Sequence, residues 1–171
     1  MMRLILLPMG NIPEMLIEQI SEELRSQLRI VTDTHLPLGI PKEFRDAYRD
    51  QYSVERILKF LNEKVQGKVL ALTDSDIFAS DMNFVYGQAQ MSGNSAVLST
   101  FRLRPEFYRK RPDNSILFER SVKEAVHEVG HLLGLKHCLN NKCVMNFSPT
   151  IFDVDKKQKY FCDECKGKLG I

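Results

Sequence analysis

Apolar residues recur along this chain with two alternating periods. Arg3-Leu-Ile-Leu-Leu-Pro8 is an unbroken apolar run and reads as a buried first strand; after Pro13, residues Leu16, Ile17, Ile20, Leu24 and Leu28 fall at helical spacing. Arg29 to Thr34 then reads as a second strand. Ser53 stands where an N-cap opens a helix through Ile57, Leu58, Leu61 and Val65, which Gly67 ends before the short apolar strand Lys68 to Thr73. Asn83 to Met91 and Ala96 to Arg102 predict two further strands, joined at Ser92-Gly-Asn94 closely enough for a hairpin. Helical spacing returns from Ser115 to Leu133. Strands alternating with helices predict an α/β sheet, and the absence of repeats or a linker-like stretch predicts one compact unit.

Composition changes this picture little. The 171 residues are 43% hydrophobic and 27% charged, as in an ordinary globular protein. Lys plus Arg number 24 against 22 Asp plus Glu, so a formal charge of +2 gives no global field for nucleic acid or anionic membrane. The apolar opening Leu4 to Met9, cut by Pro8 and Gly10, is too short to span a bilayer and lacks a cleavage site, so a cytoplasmic protein is expected. Asp74-Ser-Asp76 reads as turn or capping residues, and the basic runs Arg102 to Arg104 and Arg109 to Arg111 as solvated surface.

The chemistry is concentrated near the C-terminus. On the predicted helix, Val122, Ala125, Val126, Val129, Leu132 and Leu133 form an apolar stripe, so His127 and His131 point to the opposite side, toward a cleft. Their i, i+4 spacing brings both imidazoles within reach of one ion, with Glu128 beside them. Gly134 is placed to end the helix with positive φ and turn the chain back, freeing His137 as a third ligand, while Leu135 packs on Val129. Three neutral imidazoles leave a tetrahedral zinc one open position, the mark of a catalytic site. Zinc there would polarise a carbonyl and acidify water, and Glu128 would take the water's proton and pass it to the departing amine. The implied reaction is amide hydrolysis.

All four cysteines follow directly: Cys138 and Cys143, then Cys162 and Cys165. Two disulfides or free thiols are the plainer alternatives, but a reducing cytosol and the pair-plus-pair spacing favour a four-cysteine zinc site. Lys157, Lys159, Lys166 and Lys168 would balance the charge of four thiolates. Because Cys138 follows His137, this cluster would anchor the chain where the third imidazole must be aimed.

The string His127-Glu-Val-Gly-His131-Leu-Leu-Gly134-Leu-Lys-His137-Cys138, with Cys143-Val-Met145 and Cys162-Asp-Glu-Cys165 after it, resembles the archaemetzincins, a branch of the metzincin metalloproteases. Asp81 to Ala89 and Ala96 to Leu103 resemble the strand segments ahead of the family's zinc helix. The resemblance implies an α/β (α+β) fold: a twisted mixed β-sheet with an antiparallel edge strand over the cleft, an active-site zinc helix below, and a small zinc-stabilised C-terminal part. It also implies catalytic zinc at His127, His131 and His137, Glu128 as general base, structural zinc at Cys138, Cys143, Cys162 and Cys165, and Met145 as the floor of a methionine turn. Where some metzincins carry a tyrosine two positions after that methionine, this chain has Phe147. No cysteine precedes the zinc helix, so a cysteine-switch latency has no residue to use.

The reading is therefore a single metzincin-like catalytic domain over 1–171, with a subdomain 1–134 carrying sheet and zinc helix and a subdomain 135–171 carrying the methionine turn and the cysteine site. Two zinc ions per chain are expected. The function is a zinc-dependent metallopeptidase working by Glu-assisted attack of a zinc-bound water, an aminopeptidase or short-peptide peptidase; the alternative is a catalytically silent, zinc-stabilised peptide-binding protein. A four-thiolate zinc module recruiting nucleic acid or a protein partner ranks last, because it leaves the aligned histidines without purpose. Expected partners are peptide or protein substrates, with no nucleic acid or membrane, on a monomer. An exposed edge strand at Gly87 to Met91 would pair with an extended peptide through backbone hydrogen bonds.

Overall fold

Leu4, Leu6, Leu70, Leu72, Ala96 and Leu98 are fully buried on one face of the central strands, and Leu7, Met9, Val69, Ala71 and Val97 on the other. Burial on both faces is why these strands read as unbroken apolar runs. The computed structural model describes residues 1–171. The chain runs β1 (Arg3–Met9), α1 (Glu14–Leu28), β2 (Val31–Thr34), β3 (Arg45–Asp46), β4 (Gln51–Ser53), α2 (Val54–Lys64), β5 (Lys68–Thr73), β6 (Ile77–Phe78), β7 (Gly87–Ala89), β8 (Ser95–Ser99), α3 (Asn114–Leu132), α4 (Ile151–Lys156) and α5 (Asp163–Leu169).

The main sheet has the order β2-β1-β5-β8-β7. Every neighbouring pair is parallel except β7 with β8, where Gly87, Gln88 and Ala89 face Leu98, Val97 and Ala96 in antiparallel register. The expected mixed sheet with an antiparallel edge strand is thus present, beside a small second sheet β3-β4-β6. Helices α1 and α3 cover one face and share a core of 28 buried residues; α2 covers the other over a cluster of 11. The larger core takes in Leu135, Cys143, Val144, Met145, Ile151, Val154, Phe161 and Cys165, so the C-terminal segment packs into the same interior as α3. No helix is long and apolar enough to cross a membrane.

Several boundaries differ from the sequence expectation for local reasons. Arg29 is left-handed, with φ 53°, and its N–H caps the Arg25 carbonyl, so β2 begins only at Val31. Val65 is already extended, and Gly67, at φ 104°, makes the turn into β5 instead of capping α2. Only Gly87–Ala89 of the predicted 83–91 strand pairs with β8, and β8 stops at Ser99 before a 3₁₀ turn at Phe101–Leu103. Arg102 is not solvated surface. It holds Asp76 through two hydrogen bonds of 2.8 Å and stacks between Phe84 and Phe107, which also gives Asp76 a structural part.

The largest departure concerns α3. Its apolar stripe is buried as expected, but so is the opposite side: Arg120, Lys123, Glu124, His127, Glu128 and His131 are all 8% exposed or less. These positions recur at helical spacing and form a buried polar face. The first turn is capped by the Asp113 carboxylate accepting the Ile116 N–H at 3.1 Å. Further along, Arg120 grips Asp155 bidentately at 2.7 and 2.8 Å and donates to the Leu103 carbonyl at 2.9 Å. Lys123 donates to the Val154 and Asp155 carbonyls, both at 3.1 Å, at the end of α4. Arg120→Met keeps the apolar volume but deletes three hydrogen bonds. Because 45% of the Asp155 side chain stays in water, urea denaturation is expected to show a loss of about 2 kcal/mol with zinc content unchanged.

Candidate metal centre and active-site cleft

Helix α3 ends in a way that aims two of the three histidines. Gly134, at φ 94°, follows the last helical turn, its N–H bonding the His131 carbonyl at 2.9 Å while the Leu135 N–H bonds the Gly130 carbonyl at 2.9 Å. This is the doubly bonded Schellman closure, which a residue with a Cβ adopts only with strain. The reversal puts the Leu135 carbonyl over His131, whose Nδ1–H donates to it at 2.7 Å. His127 is held likewise, its Nδ1–H donating to the Val144 carbonyl at 2.8 Å. A carbonyl can only accept, so both rings carry the proton on Nδ1, and both present Nε2 as a bare lone pair.

Those two Nε2 atoms are 3.1 Å apart, and His137 completes the group, with all candidate ligand atoms within 4.8 Å of one another. Two unprotonated nitrogens at that distance cannot satisfy each other, whereas ligands about 2.0–2.1 Å from one tetrahedral zinc lie about 3.3 Å apart. The donor set therefore fits zinc. Burial drives the His127 pKa well below the ordinary imidazole value, with the positive charge of Lys157 and the neighbouring His131 acting the same way. Burial also lowers His131 and His137. The imidazoles are thus neutral and ready to ligate at physiological pH.

The structure brings the remaining expected residues around this centre. Glu128 is 3% exposed, and burial, reinforced by the negative charge of Glu124 and opposed by Lys157, lifts its carboxyl well above the usual carboxylate range. It sits directly against the edge strand. A Cβ on Gly87 would lie 2.8 Å from Glu128 Oε1 and 2.8 Å from the Val97 carbonyl, so only glycine lets β7 pass that close. On the other side of the helix Gly130 plays the same part for Met145, whose Sδ would come within 2.4 Å of a Cβ there. Met145 is fully buried, as a floor for the histidine rings requires. The half-exposed Phe147 ring lies 5.1 Å from the His137 ring. The cleft over these residues has a volume of about 590 Å³ and is walled by Met82, Phe84, Val85, Ala89, Met91 and Phe147.

The four cysteines converge separately. Cys138 and Cys162 have sulfurs 3.7 Å apart, Cys143 and Cys165 3.8 Å, and no disulfide joins them. Thiolates about 2.3 Å from one tetrahedral zinc are about 3.75 Å apart, so this set also fits zinc. The Cys138 N–H donates to the Met145 carbonyl at 2.9 Å, and Asn146 Nδ2 donates back to the Cys138 carbonyl at 2.8 Å, tying the cysteine cluster to the methionine turn and to His137 beside it.

Two residues at or just behind the cleft have parts that the sequence reading did not find. Glu124 lines the cavity one turn ahead of Glu128, a position the helical period reveals once that face is known to be buried. Lys157, expected to balance thiolate charge, is 1% exposed with its ammonium 2.8 Å from Glu124 Oε1. Of the other lysines expected there, Lys159 pairs with Glu23 and Lys168 with Glu164.

Similarity to known proteins assigns this arrangement to a class, the zinc-dependent metallopeptidases. The model of "Peptidase family M54" matches residues 4–170. Archaemetzincin of Methanocaldococcus jannaschii is 38% identical over 168 residues, covering 98% of this chain and 93% of the relative. Among solved structures, archaemetzincin of Archaeoglobus fulgidus, complexed with malonate, superposes with a TM-score of 0.85 at 37% identity, covering 98% of this chain and 99% of the other. A zinc-dependent peptidase of Methanocorpusculum labreanum gives 0.89 at 31% identity, over 97% and 99%. The chain belongs to peptidase family M54, the archaemetzincins.

Two outcomes follow from this geometry. Gly87→Ala should push Glu128 out of place and lower kcat by about tenfold to a hundredfold, with zinc content unchanged. Burial raises the Cys143 and Cys165 thiols above their ordinary value, so both are protonated at neutral pH and must lose protons to bind zinc. The imidazoles, lowered below 6.5, have none to lose. Zinc affinity of the thiol cluster therefore falls as pH falls through the neutral range, while that of the histidines holds. Calorimetric zinc titration at pH near 7.5, in two buffers of different ionisation heat, should show equal proton release for wild type and His131→Ala.

Proposed function

We propose that His127, His131 and His137 hold one zinc ion and that Glu128 is the general base of peptide-bond hydrolysis. The supporting observation is the pair of Nδ1–H bonds to the Val144 and Leu135 carbonyls, which leave two bare Nε2 atoms 3.1 Å apart. When bound, zinc supplies Lewis-acid polarisation of the scissile carbonyl and of water. Within that field Glu128 does the proton work: its carboxylate takes a proton from the attacking water and delivers it to the departing amine. Its burial beside a second carboxylate makes it a stronger base than a solvated glutamate. The backbone of β7, at the sheet edge, would pair with an extended substrate and carry its carbonyl toward the three histidines.

We read the four cysteines as holding a second, structural zinc, giving two ions per chain. The support is their spacing and the hydrogen bonds that join Cys138 to Met145 and Asn146. The chain is read as one catalytic domain, with parts 1–134 and 135–171, because both contribute to the larger core. A cleft of about 590 Å³ suits a short peptide or the end of a longer one, which favours the short-peptide or aminopeptidase mode. The near balance of charge argues against a nucleic-acid partner, and cytoplasmic action as a monomer belongs to the same proposal.

Metal counting with a peptide-library digest of wild type and Glu128→Ala tests this reading. Two zincs are expected in both proteins, with cleavage about a thousandfold slower in the variant. Two zincs without cleavage by wild type would identify a silent peptide-binding protein instead.

A further inference from the structure

Three polar atoms buried behind the cleft lack a hydrogen-bond partner: Glu124 Oε1, Glu128 Oε2 and Lys157 Nζ. Lys157 Nζ approaches Glu124 Oε1 at 2.8 Å without making a directed hydrogen bond, and its side chain is fully buried. Glu124 and Glu128 stand one helical turn apart on the same buried face of α3, where side chains at i and i+4 are neighbours. Lys157 thus has two carboxylates to choose between, since the buried Arg120 and Lys123 are already engaged by Asp155 and by the Val154 and Asp155 carbonyls. It takes Glu124, and Glu128 has no ion pair at all.

We infer that Glu124 is a positioning residue that holds Lys157 away from Glu128 and so leaves the Glu128 carboxylate free to face the cleft. An ammonium sealed from water cannot remain without an anion at low cost. If Glu124 lost its charge, the nearest remaining anion on that helix face would be Glu128. Lys157, whose chain is fixed by the α4 contacts to Arg120 and Lys123, would draw the Glu128 carboxylate back from the cavity into a closed pair. Lys157 has its own structural reason to be there, since it joins the segment after α4 to the zinc helix; Glu124 is what makes that cation compatible with an unpaired base. This inference rests on Glu128 being the base.

The experiment compares Glu128→Ala, Glu124→Gln and the double variant Glu124→Gln/Lys157→Met with wild type. Each is loaded with zinc, and kcat and KM are measured on one peptide. Glu124→Gln is expected to lower kcat by about tenfold or more with KM within about twofold, and the double variant to recover to within about fivefold of wild type, because the competing cation has gone. Zinc content should be unchanged, and a crystal structure of Glu124→Gln should show Lys157 Nζ on the Glu128 carboxylate. A residue needed only for packing would give no such recovery. Wild-type turnover in Glu124→Gln, or a folded, zinc-loaded double variant no more active than the single one, overturns the inference. Should Glu124→Gln fail to fold, an active double variant still supports it; failure of both to fold assigns the pair to stability alone and overturns it. Full activity in Glu128→Ala would instead defeat the general-base reading, which the Glu124 variants do not address.

Discussion

The constraint on which this molecule depends is that helix α3, from Arg120 to Leu132, is buried on every side while half of that surface is polar. An apolar helix in that position would need only shape complementarity. Here Arg120, Lys123, Glu124, His127, Glu128 and His131 lie in the interior together, and each polar atom must find a partner or stand as a cost of about 1–3 kcal/mol or more. The partners come almost entirely from the segment that follows. Asp155 and the carbonyls of Val154 and Asp155 take Arg120 and Lys123; Lys157 takes Glu124; the Val144 and Leu135 carbonyls take the two histidines. The C-terminal segment is therefore the other half of the helix's hydrogen-bonding capacity.

That division of labour explains why the short C-terminal part is so heavily cross-linked. It has little regular structure between Gly134 and Thr150, yet its carbonyls must sit within a few tenths of an ångström of the imidazole Nδ1 atoms. The Schellman closure at Gly134 fixes Leu135, and the bond from Cys138 to Met145 fixes the turn bearing Val144. A metal held by the four cysteines would close the loop from Cys138 to Cys165 and restrain the same stretch in the unfolded chain. The two donor sets differ in their proton demands: the imidazoles are already neutral, whereas the buried Cys143 and Cys165 thiols must each give up a proton to ligate a metal.

Much of this was legible from residue order alone. The i, i+4 histidines, the glycine stop and the cysteine spacing are local features, and local features survive being read along a line. The central strands were equally visible, because two-sided burial writes itself as an apolar run. What stayed hidden depends on neighbours far apart in sequence. Arg102 looked like surface until Asp76, Phe84 and Phe107 surrounded it. Lys157 looked like a counter-ion to nearby thiolates, although its partner, Glu124, lies on another element. Gly87 and Gly130 carried no signal of their role, since the atoms that exclude a Cβ belong to Glu128, Val97 and Met145. The edge strand was over-extended for a related reason: residues 83–86 have strand-like composition, but β8 ends at Ser99, whose N–H reaches the Tyr86 carbonyl at 2.8 Å, and Val85 turns its N–H to the Ile77 carbonyl instead.

The cost of the site is concentrated where its function lies. Gly87 and Gly130 give up the conformational restriction that alanine would supply in a strand and a helix, the latter worth about 1 kcal/mol, so that Glu128 and Met145 can approach the backbone closely. Glu128 Oε2 is buried with no partner at all. A fold selected only for stability would replace each of these. Their presence together around the paired Nε2 atoms means that the stabilising energy of the two apolar cores and of the Arg120, Lys123 and Lys157 contacts is set against a small region that stability alone would not build. That cost is tolerable because the region is held between rigid elements: β7 pinned to β8 on one side, and the methionine turn pinned through Cys138 on the other. Loosening either support would let the carboxylate and the imidazoles relax toward ordinary, satisfied geometries, and the chemical poise of the cleft would be lost well before the fold.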